Sequence, residues 1–317
     1  MPLLVDSYTV RKLLSPARVE SPMQQLNMSS DWKFACLAFL CVLSLAVAWH
    51  QVVETFALSL QDDEYTHILL ILPVSASLLF VQWRSIRTAA SPGILWGSIL
   101  LAAAAVFVSI PKVWSAWLPP DLLLTVGMFA LALSLIGSFI LCLGTGSLRV
   151  ALFPLLFLFG MVPLPHAVVD EAVLLLQLSS AWAAQLLFVV CGVPVSQEGI
   201  VLNIPGLTLV VAHECSSIRS SSMLLVTTMV LAHIVLRSRW RQALVIGLAV
   251  PLSIAKNSLR IFTIAMLGTR VDPGYLTGKL HHEGGIIFFA IVLLLEFGMF
   301  WILRRGDDPA PSESPSI

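Results

Sequence analysis

Residues 121–144 read DLLLTVGMFALALSLIGSFILCLG, a stretch in which Asp121 is the only charged side chain. About 20 consecutive apolar residues are enough for a helix to cross a bilayer. Similar apolar stretches occur on both sides of it, at about 34–53, 66–83, 93–110, 150–165, 168–193, 216–236, 241–268 and 284–303. This pattern predicts an all-α polytopic membrane protein.

The composition excludes several other classes of protein. The chain has 317 residues, of which 58% are hydrophobic and 11% are charged, whereas soluble domains have about 25% charged residues. An ordinary soluble enzyme, a disordered chain and a secreted disulfide scaffold are therefore excluded. The formal net charge is zero, from 18 basic and 18 acidic residues, and no basic stripe indicates a nucleic-acid partner.

The basic residues predict the topology, because cytoplasmic loops of membrane proteins are enriched in Lys and Arg. Those that mark the inside lie in the N-terminal tail and at Arg84, Arg87, Arg149, Arg237, Arg239, Arg241, Arg304 and Arg305. The acidic segments 54–64 and 194–214 contain no Lys or Arg and mark the outside. We expect a multi-pass protein of the plasma (inner) membrane, with about eight transmembrane helices and both termini in the cytoplasm.

Three apolar stretches lie between Arg149 and Arg237, although an even number of them must cross. The stretch 168–193 opens with two acidic residues, so we interpret it as an interfacial or re-entrant helix at the outer face. The stretch 150–165 then has to cross, although it contains three prolines. This assignment gives eight crossings.

Three regions are predicted along the chain: a cytoplasmic tail (1–32), a membrane domain (33–305) and a disordered cytoplasmic tail (306–317). Within the membrane domain, GIVLNIPGLTLVV (199–211) has β-branched residues on both sides of a Pro-Gly pair. This pattern predicts a short β-hairpin on the outer surface, because an open sheet edge is not tolerated in lipid.

Cys215 is the candidate nucleophile. The other cysteines lie within apolar stretches and are expected to be buried, namely Cys36, Cys41, Cys142 and Cys191. Cys215 instead lies in HECSSIRS (213–220), where a polar loop becomes a helix. A helix N-terminus favours the thiolate, which is the nucleophilic form. The alternative is a helix-start thiol that packs against the hairpin.

Arg260 is the candidate cation of the site. The segment PLSIAKNSLRI (251–261) has Asn257 and Arg260 three residues apart, which is one face of a helix. A buried arginine in a membrane helix indicates a functional site, although Arg260 could instead snorkel to lipid phosphates. Lys256 could snorkel in the same way, and we assign it no role from the sequence.

His281 and His282 are the candidate bases. They precede the last apolar stretch in LHHEGG (280–285), and histidine is the usual general base near neutral pH. Adjacent histidines on a helix point in different directions, so one of them is expected to face a site; the alternative is an interfacial pair without a role. On the predicted topology Cys215, Arg260 and His281 all lie at the outer face. A nucleophile, a cation and a base at one membrane depth are the groups that thiol acyl transfer uses.

Other catalytic classes lack their motifs. The chain has no GxSxG nucleophile elbow and no Walker A loop, and Ser217 occupies the second histidine position of HExxH. Two non-enzymatic hypotheses stay open. One is a membrane transporter with a polar path along Arg260, Asp170 and Glu171, and the other is a structural component of a polysaccharide-export system.

Taken together, the motifs resemble those of the exosortase/archaeosortase family of integral membrane cysteine transpeptidases. ECSSIRSS (214–221) is similar to its Cys-Ser-Gly-x-Arg-Ser region, PLSIAKNSLRI to its Pro-x5-Asn-x2-Arg-Ile helix, and HHEGGIIFF (281–289) to its His-x3-Gly segment. The resemblance covers roughly residues 35–303, with supporting stretches at 62–73, 153–165 and 192–205. It implies that Cys215, Arg260 and His281 are catalytic. The residues it assigns supporting roles are Arg219, Asn257, His282 and Gly285.

The sequence departs from the family pattern at three positions. Ser217 stands where the family has glycine, and Thr66 replaces the serine before His67. His282 competes with His281, but counting four residues back from Gly285 selects His281. No catalytic residue type is lost.

The resemblance also implies a reaction and its partners. Exosortases cleave C-terminal sorting signals of exported proteins, which consist of a short motif, a transmembrane helix and a basic cluster. They are thought to transfer the protein to a surface acceptor, which would be a polysaccharide or a lipid-linked group. Neither a cofactor nor a metal is implied. The expected partners are therefore such protein substrates and the bilayer.

Overall fold

The computed structural model describes the backbone of residues 22–91, 93–211, 218–276 and 279–305. The side chains of 22–31 and 276–286 lie outside that description. Cys215 and its neighbours 212–217 are likewise outside the described residues.

The fold consists of helices with one small sheet. The helices are α1 (Pro22–Val47), α2 (Trp49–Gln61), α3 (Ile68–Val81), α4 (Trp83–Thr88), α5 (Ile94–Trp114), α6 (Pro120–Phe157), α7 (His166–Val190), α8 (Ile218–Val235), α9 (Arg239–Arg270) and α10 (Lys279–Arg305). Single 3-10 turns occupy Asp63–Tyr65, Leu158–Met161 and Pro273–Leu276. In the described part of the chain, seven helical segments are long and apolar enough to cross a membrane, or eight if α1 and α2, bent by 70°, form one span. The predicted polytopic helical class is therefore confirmed.

Helix α6 reverses direction at Gly144. This residue has φ 78° and ψ 179°, a backbone region that is essentially restricted to glycine. A Cβ atom there would lie 1.6 Å from the carbonyl oxygen of Ser91. The chain after Gly144 then runs back along the first half of α6, since the ring of Phe159, in the turn that follows α6, is 5.4 Å from that of Phe129. The stretches 121–144 and 150–165 thus form a helical hairpin.

The bundle has two chemically different ends. At one of them, which we call the arginine-rich end, Ser147 Oγ donates to the carbonyl of Ile86 at 2.9 Å and Arg241 Nη1 donates to the carbonyl of Leu303 at 2.8 Å. The arginines that mark the inside in the sequence lie in or beside these segments, at positions 84, 87, 149, 237, 239, 241, 304 and 305.

We call the opposite end of the bundle the site end. There the backbone N–H of His166 donates to Asp121 Oδ2 at 3.0 Å, and the Tyr65 hydroxyl donates to the carbonyl of Leu164 at 2.9 Å. Arg219, in the first turn of α8, lies at the same end beside Asp63. The loop between α5 and α6 and the start of α7 are therefore on the same side of the bundle as the start of α8.

The main core lies in the first half of the chain. Its buried side chains come mainly from α3, α4, both halves of α6, the turn Leu158–Met161 and the start of α7, and partly buried side chains of α1 pack against them. They include Ile71, Ile86, Leu131, Leu143 and Val173. Helices α5 and α6 approach closely at Gly97, where a Cβ atom would be 2.5 Å from Leu141 N. Such small residues let membrane helices gain van der Waals contact without a hydrophobic driving force.

The sheet has three antiparallel strands, β1 (Ser196–Glu198), β2 (Val201–Ile204) and β3 (Leu207–Val210). Strands β2 and β3 form the predicted hairpin, with Ile204 opposite Leu207 and Gly206 at φ 84° in the turn. Strand β1 is an addition that the sequence analysis missed. The sheet packs on α7 and α9 through Phe188, Leu202, Ile204, Val211 and Ala265.

Candidate active site

The structure describes the three predicted catalytic positions to different extents. Cys215 lies outside the described residues, so its prediction stays untested. His281, His282 and Gly285 lie in the first turns of α10, of which only the backbone is described. Arg219, Asn257 and Arg260 are described in full and carry the geometry below.

Arg219 binds an acid from the first half of the chain. Its Nη1 lies 2.6 Å from Asp63 Oδ1 and donates a hydrogen bond to it. Both side chains are more than half exposed. The backbone around Asp63 is fixed by the 3-10 turn Asp63–Tyr65. Asp62, the residue before this turn, caps it by accepting from the N–H of Glu64 through its Oδ1 at 3.1 Å. The first turn of α8 is thereby tied to the segment that precedes α3.

A polar seam joins the antiparallel helices α8 and α9. Ser221 Oγ and Ser253 Oγ share a hydrogen bond of 2.5 Å. One turn nearer the site end, Lys256 Nζ donates to Ser220 Oγ. The Lys256 side chain is only 4% exposed, so it turns to the neighbouring helix and does not snorkel to lipid headgroups.

Asn257 and Arg260 continue this seam toward the site end. Asn257 is 2% exposed, and neither its Oδ1 nor its Nδ2 has a hydrogen-bond partner among the residues that the structure describes. Arg260 is half-buried, one turn further along α9. Buried amides are nearly always hydrogen-bonded, so an orphan such as Asn257 calls for a functional explanation.

A second polar contact joins α8 to α10 in the bundle interior. Thr228 Oγ1 donates to Glu296 Oε1, and Glu296 is fully buried. Since α8 and α10 both run from the site end to the arginine-rich end, this contact fixes how the two parallel helices are aligned along their axes.

A cavity of about 540 Å³ opens beside the start of α8. Its polar lining includes Glu64, His67, Ser221, Ser222 and Ser253, and the rest of the wall is mostly apolar. On α8 the lining extends from Ile218 to Met229, a length of about 16 Å at 1.5 Å a residue. The space therefore runs from the site end into the apolar interior.

Several of these residues escaped the sequence analysis. Asp63 was visible only as one of the acids in the segment 54–64, and Ser220, Lys256 and Glu296 received no role. The spacing of four residues between Lys256 and Arg260 was the available signal, because it gives two cations on one helical face. The expectation of four buried cysteines was partly wrong: Cys142 is buried, Cys36 and Cys41 are intermediate, and Cys191 is exposed where α7 ends.

Metal ligation finds no support in the part of the chain that the structure describes. Within those residues no three or more His, Cys, Asp or Glu side chains are grouped as a metal ion would need. The chemistry of the described site is that of hydrogen-bond donors, with Lys256 and Arg260 carrying positive charge and Asn257 carrying an amide.

Comparison with known proteins agrees with the motifs. Residues 57–298 match the family described as "Transmembrane exosortase (Exosortase_EpsH)". No curated protein and no solved structure matches the chain. The matched range includes the seam between α8 and α9, the buried Glu296 and every predicted site residue. This family comprises membrane-embedded proteases and transpeptidases of sorting signals, and the multi-pass chain described here belongs to the transmembrane exosortase family.

Proposed function

We propose that this chain is a cysteine transpeptidase or protease that cleaves C-terminal sorting signals of exported proteins at the outer membrane face. Cys215 is the nucleophile, His281 the general base and acid, and Arg260 the group that stabilises the oxyanion. The acyl fragment passes from Cys215 to a surface acceptor.

The contact of Lys256 with Ser220 carries this proposal. Arg260 lies four residues beyond Lys256, and Cys215 lies five residues before Ser220. Because α8 and α9 are antiparallel, both steps lead toward the site end. At 1.5 Å a residue the steps are about 6 Å and about 7.5 Å. The sequence predicts that Cys215 lies where α8 starts, and on that expectation the thiol and the guanidinium are at the same height along the bundle axis.

The contact of Thr228 with Glu296 supports the place of the histidines. Cys215 is thirteen residues before Thr228, while His282 and His281 are fourteen and fifteen residues before Glu296. On parallel helices these positions differ by at most about 3 Å along the axis. Position 296 faces α8. Viewed along the axis of α10, at 100° a residue, position 281 lies about 60° to one side of position 296, and position 282 lies about 40° to the other side. The Lys256–Ser220 and Thr228–Glu296 contacts are independent of each other. Both support a site in which the thiol, the guanidinium and the imidazole have the same height along the bundle axis.

The reaction follows from these three groups. The Cys215 thiolate attacks the carbonyl carbon of the scissile peptide bond, and Arg260 stabilises the negative charge that forms on the oxygen. The C–N bond breaks, and protonated His281 gives its proton to the leaving amine, which leaves a thioester on Cys215. A nucleophilic group of the acceptor, or water, then attacks the thioester. It passes its proton to His281, and Cys215 is released as the thiolate.

The distribution of charge supports an outward-facing site. Cytoplasmic ends of membrane helices are enriched in arginine, and the arginine-rich end collects eight of them. The site end is the opposite one. Helix α7 fits this topology, because it begins beside Asp121 and its Phe188 packs 5.0 Å from Phe262, beyond Arg260 on α9. Both contacts are at the site end and support the proposed interfacial or re-entrant placement of α7, which by length and hydropathy is also among the helices able to cross.

The decisive experiment follows an exported reporter that carries a C-terminal sorting signal. Cys215→Ala and Arg260→Ala should abolish processing while the protein still accumulates in the membrane. Cys191→Ala, which removes the exposed thiol at the end of α7, is the control and should process normally. A thioester between the reporter and Cys215, trapped in the membrane and released by hydroxylamine, would identify the intermediate. Processing by Cys215→Ala at the unaltered rate would refute the proposal.

A further inference from the structure

Lys256 is a buried lysine in a helix that crosses the membrane. It is 4% exposed, and its ammonium group donates to Ser220 Oγ on the neighbouring helix α8. Charged side chains at such depth are costly, and proteins keep them where they have a function. Because the side chain is turned away from the headgroups, contact with lipid phosphate does not explain its presence.

The charge of Lys256 adds to two other positive features. Arg260 is one turn away on the same face of α9, so two like charges lie at a spacing where they repel each other. The first turn of α8 supplies the positive end of a helix dipole. Three positive features therefore converge on the start of α8, and such a field favours an anion there.

We propose that Lys256 is a positioning residue, which aligns α8 with α9 and whose positive charge keeps Cys215 in its thiolate form. This inference rests on the proposed role of Cys215. Lys256 acts at a distance, since its ammonium group is bound to Ser220, five residues after the thiol. A neighbouring cation raises the thiolate fraction of a cysteine, and the low dielectric of the bundle strengthens that effect.

Substitutions at position 256 separate the charge from the hydrogen bond. Lys256→Arg keeps both the charge and a donor, whereas Lys256→Gln keeps a donor for Ser220 without the charge. Lys256→Met removes both. Lys112→Met is the matched control, because Lys112 is an exposed lysine near the end of α5.

The readout is the rate at which iodoacetamide alkylates Cys215 in the purified full-length protein at pH 7, measured by mass spectrometry. Iodoacetamide is uncharged and reacts with the thiolate, so its rate follows the thiolate fraction. The exposed Cys191 in the same molecule serves as the internal reference. We expect Lys256→Gln and Lys256→Met to slow the alkylation of Cys215 about tenfold relative to Cys191, and Lys256→Arg and Lys112→Met to leave it within about twofold.

Two results would overturn this role. Alkylation of Lys256→Gln at the rate of the unaltered protein would show that the charge is dispensable. Equal slowing in Lys256→Arg and Lys256→Met would show that packing, and not charge, is what position 256 supplies. The measurement does not depend on substrate processing, so it stays informative even if Cys215→Ala were to process the reporter.

Discussion

Arg219 Nη1 donates to Asp63 Oδ1 at 2.6 Å across 156 residues of sequence. The bond ties the first turn of α8 to the segment before α3, beside the mouth of the cavity. Exposed ion pairs contribute at most about 1 kcal/mol to stability. We therefore expect this pair to matter for the position of α8 more than for folding.

The pair can be tested by exchanging its charges. Arg219→Asp and Asp63→Arg should each slow reporter processing about fivefold, since each leaves two like charges side by side. The double variant Asp63→Arg/Arg219→Asp should recover most of the rate. Glu54→Gln, which breaks the exposed contact between Glu54 and His50, is the control. A double variant that is slower than both single variants would contradict a direct role of the pair.

The two histidines can be separated by single substitutions. Their helical positions do not discriminate between them, but the spacing to Gly285 selects His281. We expect His281→Ala to lower the processing rate by about 10²–10⁴-fold, the usual cost of losing a general base, and His282→Ala to lower it by less than about tenfold. The rate constants of the two variants decide the assignment. The reverse order would assign the base to His282.

We expect Asn257 to lower the stability of the protein and to raise its processing activity. Its buried amide has no hydrogen-bond partner in the described part of the chain, so Asn257→Leu should raise the free energy of unfolding by about 1 kcal/mol. Processing should fall about tenfold or more if the substrate supplies the missing hydrogen bonds. Ser258→Ala is the control, because the Ser258 hydroxyl donates within its own helix, to the Ala255 carbonyl. Thermal unfolding in detergent and the processing rate together check this expectation, and full activity in Asn257→Leu would contradict it.

The contact between Thr228 and Glu296 should show strong coupling in a double-mutant cycle. Thr228→Val leaves the fully buried carboxyl without its donor and should destabilise the protein by about 1–3 kcal/mol. Thr228→Val/Glu296→Leu replaces both partners with apolar groups and should be more stable than Thr228→Val alone. Additive losses in thermal unfolding would mean that the two side chains do not interact.

Gly144 should tolerate no side chain. Gly144→Ala forces a Cβ to within 1.6 Å of the Ser91 carbonyl oxygen at a positive φ, and we expect a loss of roughly 3 kcal/mol of stability. Gly247→Ala is the control, since nothing lies within 4 Å of its added Cβ in α9. The yield of folded protein in detergent measures both. Equal yields would argue against the reversal at Gly144.

The sequence predicted those structural elements whose signal lies in consecutive residues. The apolar stretches predicted the helices to within a few residues at most ends, and Pro205–Gly206 predicted the turn between β2 and β3. Strand β1 was missed because three residues, Ser196–Glu198, are too short to show an alternating pattern. The sequence analysis placed a boundary at Gly144, between the apolar stretches 121–144 and 150–165, but it did not predict that the helix resumes directly after this one residue.

Contacts between distant segments could not be read from the sequence. Lys256 looked like a side chain that snorkels, because the sequence does not reveal that Ser220 faces it across a helix boundary. Asp63 was one of several acids in a loop, and only the folded chain shows which of them meets Arg219. The motifs identified the residue types of the site, whereas the alignment of helices along their axes had to come from the structure.

The location of the main core separates two kinds of genetic effect. Its buried side chains belong to residues up to and including Val173, together with Val226 from α8, whereas the predicted catalytic residues all follow position 212. We expect damaging variants in the first half of the chain to reduce how many molecules accumulate. Variants of the predicted catalytic residues Arg260 and His281 should instead leave the number of molecules unchanged and lower the turnover of each one.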